Sequence, residues 1–261
     1  MKAVTGAAFF DLDRTLMAGS SGMEFARVAA RRGVVPRRVV ARWAIDHLRY
    51  RIEGASDEKT FEALKIARES VTGVGEREIA RMWPEVLAGI LPRVHPEVLA
   101  EAHRHQDEGR EAWIVSAAGS GMVESLAGVL GFDGGIGTRY EVGSDGAYTG
   151  RIDGPFVYGP GKVEAIDRIA AERGLVMGDS WAYSDSISDL PMLRATGQAV
   201  AVNPDRPLRE IASAEGWEVM HLDRIGRRLA ITGTVVLAGL VGGLGSYATS
   251  RHRDRPRRLF P

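Results

Sequence analysis

From Pro96 onward the chain alternates between two patterns. The stretches PEVLAEAHRHQDEG, GMVESLAGVLG, GKVEAIDRIAAERG and DLPMLRATG place apolar residues three and four apart, whereas EAWIVS, SWAYS, QAVAV and WEVMHL are short apolar runs. Helices and strands taking turns in this way predict an α/β fold. The expected form is a Rossmann-like, doubly wound parallel sheet with helices on both faces. Between the second and third helical stretches lies a glycine-rich patch leading into the strand-like YEVGSDGAYTGRI. An earlier apolar run, AAFF at residues 7–10, supplies a first strand.

Residues 21–91 interrupt that alternation. SGMEFARVAARRG, PRRVVARWAIDHLRYRI, SDEKTFEALKIARES and GEREIARMWPEVLAGIL all carry the helical spacing, with Ser, Pro or Gly between them. They predict about four helices inserted just after the first strand. The expected organisation is a core from residues 1–16 and 92–223 and a helical insertion over 17–91.

The far end follows a different rule. Residues 229–250, LAITGTVVLAGLVGGLGSYATS, are 22 residues without a charge, long enough as a helix to match a bilayer's hydrocarbon thickness. A C-terminal hydrophobic helix is therefore expected, spanning a membrane or lying in it, with residues 251–261 as a basic tail. Arg224, Arg227 and Arg228 precede the run and five Arg follow it, so the positive-inside bias selects no orientation. Gly239 and Gly243 have the spacing of close helix approach, which suggests a homodimer through this helix. The insertion adds a second hint of a membrane. Residues 21–51 hold eight Arg against Glu24 and Asp46, with Trp43 and Tyr50 among them, and such a face suits anionic lipid.

Composition closes several routes. Lys and Arg number 34 and Asp and Glu also 34, so whole-chain charge gives no reason to expect nucleic acid. No cysteine is present, which excludes disulfides and thiolate metal sites. His103 and His105 lie two apart on a helix and point different ways, without metal-ligand spacing; both are expected at the surface. The N-terminal apolar stretch is too short for a secretory leader, so the folded part is expected in the cytoplasm, held at the cell membrane by residues 229–250.

In an open parallel sheet, ligands bind at the carboxyl ends of the strands. There the sequence sets Asp11, Asp13 and Thr15 after the first strand, Ser116 after WIV, and Asp185 and Asp189 after WAY, with Lys162 opening a helix behind Gly161. Taken singly, each is more often a helix cap, a turn former or a surface lysine, and GPGK lacks the glycine spacing of a nucleotide-binding loop. Together they assemble carboxylates too close to remain ionised without a cation. A hard divalent ion, Mg²⁺ above all, would neutralise them and leave positions for phosphate oxygen and water.

DLDRT, Ser116, Lys162 of the GK pair and SDSISD, in this order, resemble the four motifs of the haloacid dehalogenase superfamily, and the helical insertion resembles the cap of its phosphoserine-phosphatase-like subgroup. The resemblance implies a Mg²⁺-dependent phosphomonoester hydrolase. Asp11 would be the nucleophile that forms an aspartyl-phosphate, and Asp13 the acid and base. Thr15, Ser116 and Lys162 would bind the phosphoryl group. Asp11, Asp13 (through its backbone carbonyl) and Asp185 would hold the metal, with Asp189 in support. In that subgroup a glutamate reads the substrate's amino group; here Ser20 stands at its place, with Glu24 a turn later. Arg68 or Lys65 would read a carboxylate, Ser188 replaces the usual Asn, and Arg14 is large for its position. The expected substrate is a small or membrane-proximal phosphomonoester. Phosphoserine itself, a phosphoryl-accepting regulatory domain and a catalytically silent membrane-anchored domain are the alternatives.

Overall fold

The computed structural model describes residues 6–36, 68–69 and 71–222. Strand β1 (Ala7–Asp11) is buried along its whole length, with Phe9 and Phe10 fully enclosed. Because successive side chains of a strand point to opposite faces, these two rings anchor two separate cores. Phe9 joins Trp113, Val115, Ile166, Met192 and Leu208 on one face. Phe10 stacks on Tyr183 at 4.3 Å and meets Phe132 and His105 edge-on. Burying each ring contributes about 1.5–3 kcal/mol.

The sheet holds six strands in the order β3-β2-β1-β6-β7-β8, and every pairing is parallel. Its members are β1, β2 (Glu111–Gly119), β3 (Gly134–Thr138), β6 (Trp181–Ser184), β7 (Gln198–Val202) and β8 (Glu218–Met220). The order reverses between β1 and β6, and there the crevice at the carboxyl edge opens. Strands β6, β7 and β8 fall on SWAYS, QAVAV and WEVMHL. Strand β3 was hidden inside the glycine-rich patch. A Cβ at Gly135 would stand 2.7 Å from the Val123 backbone, and one at Gly137 2.7 Å from Ser120 Cα. The glycines let the preceding helix, Ser120–Leu130, lie directly on the strand.

Helices α1 (Ser21–Arg31), α2 (Glu76–Ala80) and α3 (Trp83–Ile90) belong to the insertion. GEREIARMWPEVLAGIL, read as one helix, is two: Arg81 and Met82 separate α2 from α3, and Pro84 sits in the first turn of α3, where its missing N–H costs nothing. The core helices are α4 (Pro96–Asp107), α5 (Ser120–Leu130), α6 (Pro160–Arg173), α7 (Leu190–Ala195) and α8 (Arg206–Glu215). Strands β4 (Tyr140–Val142) and β5 (Tyr148–Ile152) form an antiparallel hairpin. That hairpin grips the insertion: Gly73 N–H donates to Tyr148 O at 2.8 Å, Tyr148 N–H to Val74 O at 3.0 Å, and Glu76 N–H to Gly146 O at 2.9 Å.

His105 is corrected by the structure. It is fully buried in α4, with Nε2 2.8 Å from the Tyr183 hydroxyl and Nδ1 accepting from Arg110 Nε at 2.8 Å, whereas His103 is exposed as expected. No helix of the described residues is long and apolar enough to cross a membrane. The hydrophobic run 229–250 with its glycine pair, the basic tail, Lys65, Trp43, Tyr50 and most of the arginine-rich face lie outside the described residues.

Candidate active site

Register builds the site. Asp11 pairs with Val115 on one side, and Phe10 pairs with Tyr183 on the other. The next residues along β2 and β6 are Ser116 and, past Ser184, Asp185, so three strand ends deliver these groups to one edge. Asp11 shares the parity of Phe9, which aims it at the face covered by α6. Lys162, in the first turn of α6, meets it there. Gly161 is required just before that lysine because a Cβ would lie 1.9 Å from Phe156 O.

Both oxygens of Asp11 are held. Lys162 Nζ lies 2.6 Å from Oδ1, and the Thr15 hydroxyl donates to Oδ2 at 3.0 Å. Lys162 also reaches Asp189 Oδ2 at 2.8 Å, which accepts in turn from Ser184 Oγ at 2.7 Å. Burial disfavours the Lys162 ammonium, but Asp11 and Asp189 outweigh it and keep its pKa above the ordinary lysine value. Burial pushes the Asp11 carboxyl up to about 6 against the pull of Lys162, and Asp189 adds to the rise. Asp185 is likewise raised well above the carboxylate range by burial, with Arg14 opposing and Asp11 adding.

Thr15 stands between two of the acids. It is fully buried, and besides Asp11 its hydroxyl lies 3.5 Å from Asp185 Oδ1 and accepts from Asp185 N–H at 3.0 Å. It ties the first acid loop to that of Asp185. Ser116 is buried, its hydroxyl accepting from Ala118 N–H at 3.2 Å. Asp13 is turned to the start of α1 and accepts from Ser21 N–H at 2.8 Å, where the helix dipole favours negative charge.

The substrate-reading candidates are engaged elsewhere. Glu24 is buried and paired with Arg27 at 2.7 Å and Arg93 at 3.1 Å. Arg68 donates through Nε to Gly150 O at 2.6 Å, on the hairpin. Ser188 bonds to the Ser186 hydroxyl at 3.0 Å. Two contacts escaped the sequence reading: Ser184 on Asp189, and Arg14, whose Nε lies 2.9 Å from Asp185 Oδ2. Ser184 stands at the end of an apolar strand beside Asp185, a position that could have marked it.

Among the described residues no three His, Cys, Asp or Glu side chains cluster to hold a metal. The donor set nevertheless suits Mg²⁺. Asp11 and Asp185 converge on the Thr15 hydroxyl and both resist ionisation, so a hard cation would find carboxylate and hydroxyl oxygens there. Mg²⁺ takes one or two carboxylates and keeps several waters, so it does not need a third side chain.

Residues 8–194 match the haloacid dehalogenase-like hydrolase family. The chain belongs to that family. It is 32% identical over 263 residues to the phosphoserine phosphatase SerB1 of Mycobacterium tuberculosis, covering 97% of this chain and 82% of the relative. A histidinol-phosphatase of Neisseria meningitidis is 31% identical over 218 residues, covering 82% of this chain and 97% of that one. Among solved structures, a Bordetella pertussis protein of unknown function superposes with a TM-score of 0.73 at 31% identity, covering 84% of this chain and all of its own. The chain is thus a hydrolase of the haloacid dehalogenase type, related to phosphoserine and histidinol phosphatases.

Proposed function

We propose that the protein hydrolyses phosphomonoesters through an aspartyl-phosphate formed on Asp11, with Mg²⁺ as cofactor. The observation that carries this reading is the anchoring of both Asp11 oxygens, by Lys162 at 2.6 Å and Thr15 at 3.0 Å, at the mouth of a parallel sheet. Two fixed donors orient the carboxylate, so its attack on phosphorus needs little reorganisation.

As the Asp11–phosphorus bond forms and the ester P–O bond breaks, the leaving alkoxide takes a proton from Asp13. Asp13 then removes a proton from the water that cleaves the aspartyl-phosphate. Its place at the start of α1, two residues from the nucleophile, suits both turns. Lys162 and Ser116 receive the phosphoryl oxygens, and Asp189 with Ser184 keeps Lys162 in position. Mg²⁺, held by Asp11, Asp185 and the carbonyl of Asp13, would offset the negative charge gathering around the phosphoryl group.

Glu24 would read the leaving group only with Arg27 and Arg93 already drawing on its Oε2. Phosphoserine, histidinol phosphate, an aryl phosphate and lysophosphatidate in vesicles are therefore the arms of one test, phosphate release with and without Mg²⁺. Turnover with Mg²⁺ on at least one arm, lost by roughly 10²–10³-fold or more in Asp11→Asn, is expected. Stable phosphorylation without turnover would favour a phosphoryl-accepting switch instead. Turnover on vesicles alone would point to the membrane-proximal substrates that residues 229–250 suggest.

A further inference from the structure

Arg14 sits between the two residues that matter most around it, Asp13 and Thr15, and its backbone is in the left-handed region at φ 68°. Only Asn203 shares that region among the described residues other than glycine. An arginine gains nothing from this conformation, which carries a steric cost that glycine or asparagine largely escapes. The conformation does one thing for the side chain: it returns the guanidinium over the acid loop, where Nε meets Asp185 Oδ2 at 2.9 Å. Asp185 is nearly enclosed, while Arg14 remains a third exposed. One partner of the pair is fixed, and the other has solvent into which to withdraw.

Charge in the site makes the pairing informative. Asp11, Asp185 and Asp189 are buried, and among the described residues Lys162 and Arg14 form ion pairs with them. Arg14 occupies Asp185 Oδ2, an oxygen that a metal held by this carboxylate would take. A divalent ion drawn to the same oxygen meets the guanidinium as a like charge in a nearly enclosed setting. Guanidinium and metal thus suit the same carboxylate one at a time.

From this we propose that Arg14 is a resident counter-ion of the cation site, a positioning residue that holds Asp185 in the metal-free protein and is displaced from it when the metal binds. This rests on the reading of Asp185 as a metal ligand. The arrangement keeps the empty site folded and lowers its affinity for metal.

Calorimetric titration of Mg²⁺ into the full chain tests it, comparing wild type with Arg14→Asn and Arg14→Gly, both of which tolerate the backbone conformation, and with Asp185→Asn. Both Arg14 variants should bind Mg²⁺ roughly two- to five-fold more tightly, the cost of breaking a partly exposed ion pair having been removed. A melting-temperature cycle in EDTA separates this role from a general effect of charge. Arg14→Asn should cost stability when Asp185 is present, relative to its effect when Asp185→Asn is already in place. Equal Mg²⁺ affinity in wild type and both Arg14 variants, or the same melting shift in both backgrounds, would overturn the role of Arg14 alone. Wild-type affinity unchanged by Asp185→Asn, or no Mg²⁺ binding at all, would overturn the metal reading and this inference with it.

Discussion

At the scale of single residues, the buried charges define what the site tolerates. Lys162 is enclosed between Asp11 and Asp189. Lys162→Met leaves two carboxylates in a low-dielectric setting without their cation, and breaking a buried pair in this way costs about 3–5 kcal/mol. The urea midpoint should fall accordingly, and adding Asp189→Asn should restore part of the loss. The raised Asp11 carboxyl gives a second expectation. With a pKa of about 6, Asp11 holds its proton at pH 5 and has lost it at pH 7. A metal that needs the carboxylate must expel that proton, so Mg²⁺ affinity should weaken about ten-fold between pH 7 and pH 5. Calorimetry at the two pH values reads this directly, and flat affinity would remove Asp11 from the ligand set. Most of these residues stood out in the sequence only jointly: each alone would read as a cap or turn former, but several polar groups ending apolar runs converge on one sheet edge. The ion pair of Arg14 was not legible, since it depends on a left-handed backbone turn that no side-chain pattern announces. The double contact of Thr15 was hidden for a related reason: Asp185 is 170 positions away and meets it only through the parallel register.

At the scale of elements, the sheet is what turns scattered motifs into one edge. Strands written in Val, Ile, Ala and Trp were legible, whereas β3, Gly134–Thr138, was not, because a strand made largely of glycine carries neither alternation nor β-branching. Its composition is dictated by α5, which leaves no room for Cβ atoms at Gly135 and Gly137. Gly135→Ala should therefore shift α5 away from the sheet and cost about 1–3 kcal/mol by overpacking. Strand β3 flanks β2, and β2 carries Ser116. The same substitution should raise KM for a phosphomonoester as well as lower the urea midpoint. The break between α2 and α3 was missed because the apolar spacing of GEREIARMWPEVLAGIL runs on through Arg81 and Met82. The bonds between the hairpin and residues 73–76 were missed because backbone pairing leaves no mark on side chains.

At the scale of the whole molecule, buried groups pull stability in opposite directions as the solution is acidified. His105 is neutral in the fold, with its pKa lowered from 6.5 to about 4, mainly by burial and then by Arg110 and Arg104. The unfolded chain binds the proton near pH 6.5 while the folded one refuses it, so stability is lost as pH falls from 6.5 towards 4, by up to about 1.4 kcal/mol per unit. Asp11 has the opposite sign. Its folded pKa lies above the unfolded value, so between pH 6 and 3.8 the folded state gains protons first and is stabilised as pH falls. Asp185, also raised by burial, acts in the same direction as Asp11, so the net acid slope is the difference between His105 and these two carboxyls. His105→Gln keeps a polar group near the Tyr183 hydroxyl and Arg110 but cannot titrate. Its metal-free melting temperature should decline less between pH 6.5 and 5 than that of wild type, even if it starts lower. Asp11→Asn removes one of the compensating groups and should make the decline steeper. Parallel melting curves for wild type and His105→Gln across this range would mean that His105 takes up its proton in the folded state as readily as in the unfolded chain. The ring would then be more open to solvent than its enclosure against Phe10, Trp181 and Tyr183 implies.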